Sequence, residues 1–295
     1  MNTLKFQDMT ITWLESTSTL NDAGTMFGPV PKAVWSKKYP NNQDNQMNSV
    51  EDPILIQYKK KNYLIDAGFE TSKFDEKAWR NTGVQNETRL ADSLSQLGLT
   101  PADIDVILMT HMHNDHASGL TRATEVGYES VFSNATIYMT EIEWDEVRSP
   151  NARTKGTYLK ENWEPIKDQV KVFSEQIEIV PGIQMIHTGG HSNGLALVKL
   201  TQEDEVLLHL SDLMLTVASM NPVWVSSYDD YPMDSINAKQ KWLPEAFEKG
   251  YKLIFYHDAY YCMLQFDKDG KTVIDSLERT KAPVIDWPEG MPKWT

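Results

Sequence analysis

The sequence predicts an α/β fold laid out as a four-layer αββα sandwich. Three observations predict it. β-Rich and mixed αβ stretches alternate along the chain as two similar halves. The clearest helical stretch has one apolar face, as a helix covering a sheet requires. No linker, low-complexity tract or repeat divides the 295 residues, so 1–295 reads as a single domain long enough to bury a substantial core.

Taken in order, residues 10–14 alternate as a strand. Residues 21–52 are rich in Asn, Pro, Gly and Asp and read as a long irregular loop, which in a folded domain is often functional. Residues 54–58 and 62–66 read as a hairpin across a Lys-rich turn. Over 86–98 the spacing predicts a helix: Asn86 caps it, Leu90, Leu94 and Leu97 share a face, and Gly98 ends it. Thr100-Pro101-Ala102-Asp103 starts a second, short helix. The apolar run Val106-Ile107-Leu108-Met109 is a strand, as is 135–139, after which Thr140 caps a helix through Glu143 and Arg148. Residues 158–170 are weakly helical. Residues 170–173, 177–180, 183–186, 196–200 and 206–208 are successive strands. A helix follows over 234–249, capped by Asp234 or Ser235, then a short buried strand over 253–256 and a hairpin turning at Asp267-Lys268-Asp269-Gly270.

Composition narrows the function classes. Lys and Arg number 28 against 42 Asp and Glu, a net charge of −14, and such a surface repels nucleic acid and anionic lipid. No segment approaches the roughly 18 apolar residues of a membrane helix, and the first residues carry no apolar signal core. Cys262 is the only cysteine, which excludes an intrachain disulfide. The expectation is a cytoplasmic protein, monomer or homodimer, acting on a small molecule.

The most informative segment is His111-Met112-His113-Asn114-Asp115-His116, directly after a strand. It gathers three of the chain's seven histidines and a carboxylate into six residues. Imidazole and carboxylate suit a hydrolytic divalent ion. A helix would scatter these side chains and a strand would split them between two faces, whereas a turn converges them. A His-rich surface loop is the rival reading.

Three further candidates also stand where strands end: His191, Asp212 and His257. A lone histidine at such a place is usually a hydrogen-bonded structural residue, and that is the reading for His187 and His209. Together with the first cluster the three are stronger. His111, His113 and His191 would serve one ion, Asp115, His116 and His257 another, and Asp212 would bridge them, leaving room for water or substrate.

The string from Thr110 to Gly119, T-H-M-H-N-D-H-A-S-G, resembles the T-H-x-H-x-D-H-x-x-G signature of the metallo-β-lactamase superfamily. His187-Thr188-Gly189-Gly190-His191, Leu210-Ser211-Asp212 and Phe255-Tyr256-His257-Asp258 resemble its later ligand motifs, in the same order. Within the superfamily the chain is similar to quorum-quenching N-acyl-homoserine lactonases, in particular the YtnP-like branch. Residues 24–32, 35–40, 187–194 and 228–234 carry that likeness. The resemblance implies the metallo-β-lactamase fold and two divalent ions, with Zn²⁺ the first expectation. It implies a bridging hydroxide that opens the lactone of an N-acyl-homoserine lactone, with Asp115 accepting and returning the proton. Asp66 would orient a ligand histidine, or else serve only to form a turn.

One departure stands out. Many of these lactonases have a Tyr three residues after the bridging Asp, where this chain has Leu215, so either this branch lacks the contact or Tyr228 or Tyr231 supplies the hydroxyl from another loop. Met26, Phe27 and Trp35 either form the apolar wall that an acyl tail needs or anchor the long loop on the core. The nearest alternative is a phosphotriesterase or arylesterase, or another ester or thioester hydrolase, using the same ions. A glyoxalase II would hold glutathione with late basic residues, and residues 286–295 carry no such cluster. A ribonuclease is disfavoured by the charge. A non-catalytic metal-binding module would have lost a ligand, and none is lost here.

Overall fold

The β-branched runs pair into two seven-stranded sheets in the computed structural model, which describes residues 1–294. The first sheet runs, in spatial order, Asn2–Phe6, Met9–Trp13, Ile54–Tyr58, Lys61–Ile65, Val106–Leu108, Thr136–Thr140 and Val170–Phe173. Its early strands are antiparallel hairpins, and its last four are parallel neighbours. The second sheet runs Gln176–Val180, Ile183–His187, Ala196–Gln202, Glu205–His209, Lys252–Ile254, Tyr261–Phe266 and Val273–Glu278. It is antiparallel except where Glu205–His209 lies parallel to Lys252–Ile254.

Side-chain alternation explains the layers. Ile54 and Ile56 face inward with Ile11, Ile65 and Leu108, where they meet Met185, Val198, Leu200 and Leu207 of the other sheet. Leu55, between them, points to the opposite face and packs with Leu64, Ile107 and Met139 against Leu90, Leu94 and Val147. On the far side Leu197, Leu208 and Leu253 are covered by Ala238, Trp242, Leu243 and Ala246 of the helix Pro232–Lys249. Its buried positions 235, 238, 239, 242, 243 and 246 have helical spacing. Each buried Leu or Ile contributes about 1.5–3 kcal/mol, so the three apolar interfaces hold the αββα order together.

The turn at Lys59 and Lys60 has φ of 49° and 61°, the left-handed conformation of a two-residue hairpin. Thr140 caps Glu141–Arg148 by accepting the Glu143 N–H. Thr100 and Asp103 form a capping box around a single 3₁₀ turn.

Three expectations need correction. The helix expected over 86–98 is confined to Leu90–Gln96, because the Asn86 side chain is drawn away to accept the Ser18 N–H. The helix expected from 234 begins at Pro232, whose missing N–H costs nothing at a first position. The segment 21–52 is not irregular throughout. Thr17–Asp22 pairs with Gln46–Glu51 as a two-stranded ribbon, and two short helices, Ala23–Phe27 and Lys32–Trp35, lie between. No helix among the described residues is long and apolar enough to cross a membrane.

Candidate metal centre

The strand Val106–Leu108 delivers the chain to Thr110, whose N–H and hydroxyl both donate to the Asp66 carboxylate at 2.8 Å. Asp66 has φ of 55°, an uncommon conformation for a residue with a side chain, and it aims the carboxylate back over this turn. His111 and His113 leave the strand end, and Asn114–Ala117 then makes one helical turn that swings Asp115 and His116 round to them. Gly119 is obligatory here: a Cβ would stand 2.0 Å from the Ala67 carbonyl oxygen.

His191 and Asp212 follow the ends of Ile183–His187 and Glu205–His209, and His257 follows Lys252–Ile254. Ser211, like Asp66, has a positive φ, 50°. The side chains fall into two groups, His111, His113 and His191 in one and Asp115, His116, Asp212 and His257 in the other. Within each group the candidate ligand atoms lie within 4.8 Å of one another. Asp212 Oδ2 lies 3.3 Å from both His116 Nε2 and His191 Nε2, 3.4 Å from His257 Nε2 and 3.7 Å from His111 Nε2. One carboxylate oxygen therefore touches both groups.

The donor set fits divalent cations. His113 Nδ1 faces His191 Nε2 at 2.8 Å, and His116 Nε2 faces His257 Nε2 at 3.0 Å. Buried His111 Nε2 and Asp212 Oδ1 have no hydrogen-bond partner among the described residues. Ring nitrogens aimed at one another, beside an orphaned carboxylate oxygen, are what a cation would satisfy.

Outer partners orient the rings. His116 Nδ1 lies 2.8 Å from Asp66 Oδ2, and the Tyr256 ring stacks on it at 4.4 Å. His257 Nδ1 lies 3.0 Å from the Val50 carbonyl oxygen and 3.2 Å from Ser49 Oγ. His191 Nδ1 lies 3.0 Å from Asp229 Oδ1. Glu143 accepts the Met112 N–H at 2.7 Å and the Ser192 hydroxyl at 2.7 Å, tying the first histidine motif to the loop of His191.

Electrostatics follow from this crowding. Burial, reinforced by neighbouring imidazoles, holds His111 and His113 well below the usual histidine range. Burial also opposes charge on His116, His191 and His257, yet nearby carboxylates, Asp212 first, raise all three. Burial pushes the Glu51 carboxyl up to about 7, with His257 opposing and Asp115 adding to the rise.

A cavity of about 690 Å³ opens over the two groups, lined by His113, Asp115, His191, Asp212 and His257 at its floor. Met26, Tyr228 and Leu215 belong to its wall. The Tyr228 hydroxyl is 2.9 Å from Thr25 Oγ1. Phe27 and Trp35 do not reach it. Their rings stack at 4.9 Å, 12° from parallel, in the core beneath, so they anchor the segment instead of forming the expected wall. Tyr231 also lies outside the lining; its backbone N–H donates to the Gly190 carbonyl at the start of a helix. His187 and His209 hydrogen-bond to the carbonyls of Asn193 and Ile254, in structural roles.

Sequence reasoning missed Asp229, Glu143 and Glu51. Asp229 sits in the noted stretch 228–234 without an assigned role, and Glu143 looks like an ordinary first-turn acid. Glu51 carried no signal, because it lies in a segment read as loop.

Residues 51–256 match the Metallo-beta-lactamase superfamily. A curated N-acyl homoserine lactonase of Bacillus cereus is 26% identical over 180 residues, 57% of this chain; the match spans 66% of that relative's length. A crystal structure described as a probable metal-dependent hydrolase from Staphylococcus aureus superposes with a TM-score of 0.90 at 40% identity, covering 95% of this chain and 100% of that one. The dizinc quorum-quenching lactonase AidC, bound to a product N-acyl-homoserine, shares the fold with a TM-score of 0.75 at 19% identity, covering 90% and 92%.

Proposed function

The chain belongs to the metallo-β-lactamase superfamily, as a metal-dependent hydrolase, and we propose that it opens the lactone ring of N-acyl-homoserine lactones at a dinuclear centre. The observation that carries this reading is Asp212, whose one oxygen lies within 3.7 Å of four imidazoles drawn from both ligand groups. Lactonase relatives at low identity support the substrate class. In this reading 1–295 is one hydrolase domain. A cytoplasmic location, proposed from the sequence, belongs to it.

His111, His113 and His191 would hold one ion and Asp115, His116 and His257 the other, with Asp212 shared. Zn²⁺ suits such nitrogen and oxygen donors. When bound, the ions supply a water of lowered pKa and polarise the scissile carbonyl. The protein's own groups do the rest. Asp115, whose side chain is 41% exposed toward the cavity, accepts the proton lost as water adds to the lactone carbonyl. It returns that proton to the ring oxygen as the C–O bond breaks, leaving an open-chain N-acyl-homoserine. Tyr228 offers its hydroxyl from the wall, the place that Leu215 cannot fill.

The test is a pH-indicator assay of metal-loaded protein on N-acyl-homoserine lactones of several chain lengths, paraoxon and a thioester. Lactones should have the highest kcat/KM, and Asp115→Asn should lower it by about a hundredfold or more. A higher efficiency on paraoxon selects the phosphotriesterase reading instead.

A further inference from the structure

Glu51 is 2% exposed and lines the cavity beside His257. It ends the strand Gln46–Glu51, whose Val50 carbonyl and Ser49 hydroxyl already lie against His257 Nδ1. One carboxylate oxygen is fixed: Thr19, from the paired strand and also in the cavity wall, donates to Glu51 Oε1 at 2.8 Å. The other, Oε2, is buried and has no hydrogen-bond partner among the described residues. Glu51 Oε1 is 4.0 Å from His257 Nδ1, too far for a hydrogen bond. A buried carboxylate oxygen left unpaired in a cavity wall favours a ligand that brings a donor to it, and disfavours an analogue that does not.

Resting on the lactonase reading above, we propose that Glu51 is a specificity-determining residue that accepts the amide N–H of the substrate. In an N-acyl-homoserine lactone this N–H sits on the ring carbon next to the carbonyl that is attacked. A ring held by its carbonyl over the floor near Asp212 and His257 therefore presents the N–H to the wall on one side. Thr19 holds the carboxylate still, so the contact selects for position as well as for chemistry. The enzyme is then tuned to α-acylamino lactones as a class, and plain γ-lactones enter the same cavity with Glu51 unmatched.

The experiment compares N-hexanoyl-homoserine lactone with its carba analogue, in which CH₂ replaces the N–H and ring and tail are otherwise kept. Wild-type, metal-loaded enzyme should favour the amide by about tenfold or more in kcat/KM. Glu51→Ala should collapse that preference by lowering efficiency on the amide alone, with two ions still bound per chain. Glu51→Gln, which keeps a carbonyl acceptor, should retain part of the preference. A wild type that opens both rings equally well overturns the inference whatever the variants do. So does a Glu51→Ala that loses both activities in parallel together with bound metal, since Glu51 then acts through His257. A wild type that opens neither ring overturns the lactonase reading itself, and the inference with it.

Discussion

The outer nitrogen of His191 lies 3.0 Å from the carboxylate of Asp229, which also accepts the Ser226 hydroxyl at 2.7 Å. Hydrogen bonds from His191 and Ser226 keep Asp229 below the usual carboxylate range although burial opposes this. The pair fixes the His191 ring with Nε2 turned toward Asp212. The loop carrying Asp229 is itself stitched down: the Asp230 N–H donates to the His191 carbonyl, and Arg153 binds the Asp230 carboxylate and the Ser227 carbonyl.

Removing Asp229 should therefore weaken the ion held by His111, His113 and His191 and spare the other. Outer partners of metal-bound histidines are worth roughly ten- to a hundredfold in affinity. Asp229→Ala is expected to lose that factor at one of two sites when Zn²⁺ is titrated against a chromophoric competitor, with Asp229→Asn intermediate. Two unaltered affinities would remove Asp229 from this role.

The contrast between His191 and Asp229 shows what the sequence makes legible. The candidate ligands are readable because five of the seven are histidines, a type this chain holds only seven of, and all stand at or shortly after the ends of apolar runs, so spacing and strand ends reveal them without any knowledge of how the strands meet. The αββα layering is readable for the same reason, since period-two alternation at 54–58 separates the inner from the outer face. Glu143 is not readable. Thr140 and Glu143 have the spacing of a capping box, yet the Glu143 carboxylate serves Met112, Tyr158 and Ser192. Those residues lie 15 to 49 positions away, and only the packed fold brings them together. The ribbon of Thr17–Asp22 and Gln46–Glu51 is hidden too, because its strands are largely polar and a 23-residue excursion separates them in sequence. Phe27 and Trp35 mislead for the opposite reason: aromatic residues near a site look like a wall until their stacking shows them to be foundation.

Lys239 supplies a prediction on pH. Its amine is buried and donates to the carbonyls of Ser219, Asn221 and Trp224. Burial lowers its pKa from 10.5 to about 8. Between those values the unfolded chain holds a proton that the folded chain has released, so stability from this group rises with pH across that window. Below about pH 8 both states are charged, and the burial penalty of up to about 3 kcal/mol is fully present. Lys239→Met cannot titrate. The stability of wild type relative to Lys239→Met should rise from pH 8 to 10, read by urea unfolding at matched ionic strength. A difference that is flat or falls across that window contradicts the assignment.

Metal removal tests the shared role of Asp212. Stripped of ions, the centre packs five imidazoles and two carboxylates with orphaned nitrogen and oxygen atoms. Binding to the folded state alone should then stabilise it by about 4 kcal/mol for each ion at free metal a thousandfold above its Kd. For a chain of this size that amounts to several degrees or more in Tm. Chelated protein should melt lower, and Zn²⁺ should restore it. Because Asp212 lies within 3.4 Å of both His191 and His257, two ions held there would not be independent. His257→Ala should keep one ion per chain, and that ion should bind more weakly than in wild type, since Asp212 loses the neighbour that holds it in place. A His257→Ala protein whose remaining ion binds as in wild type would separate the two groups and end the bridging role of Asp212.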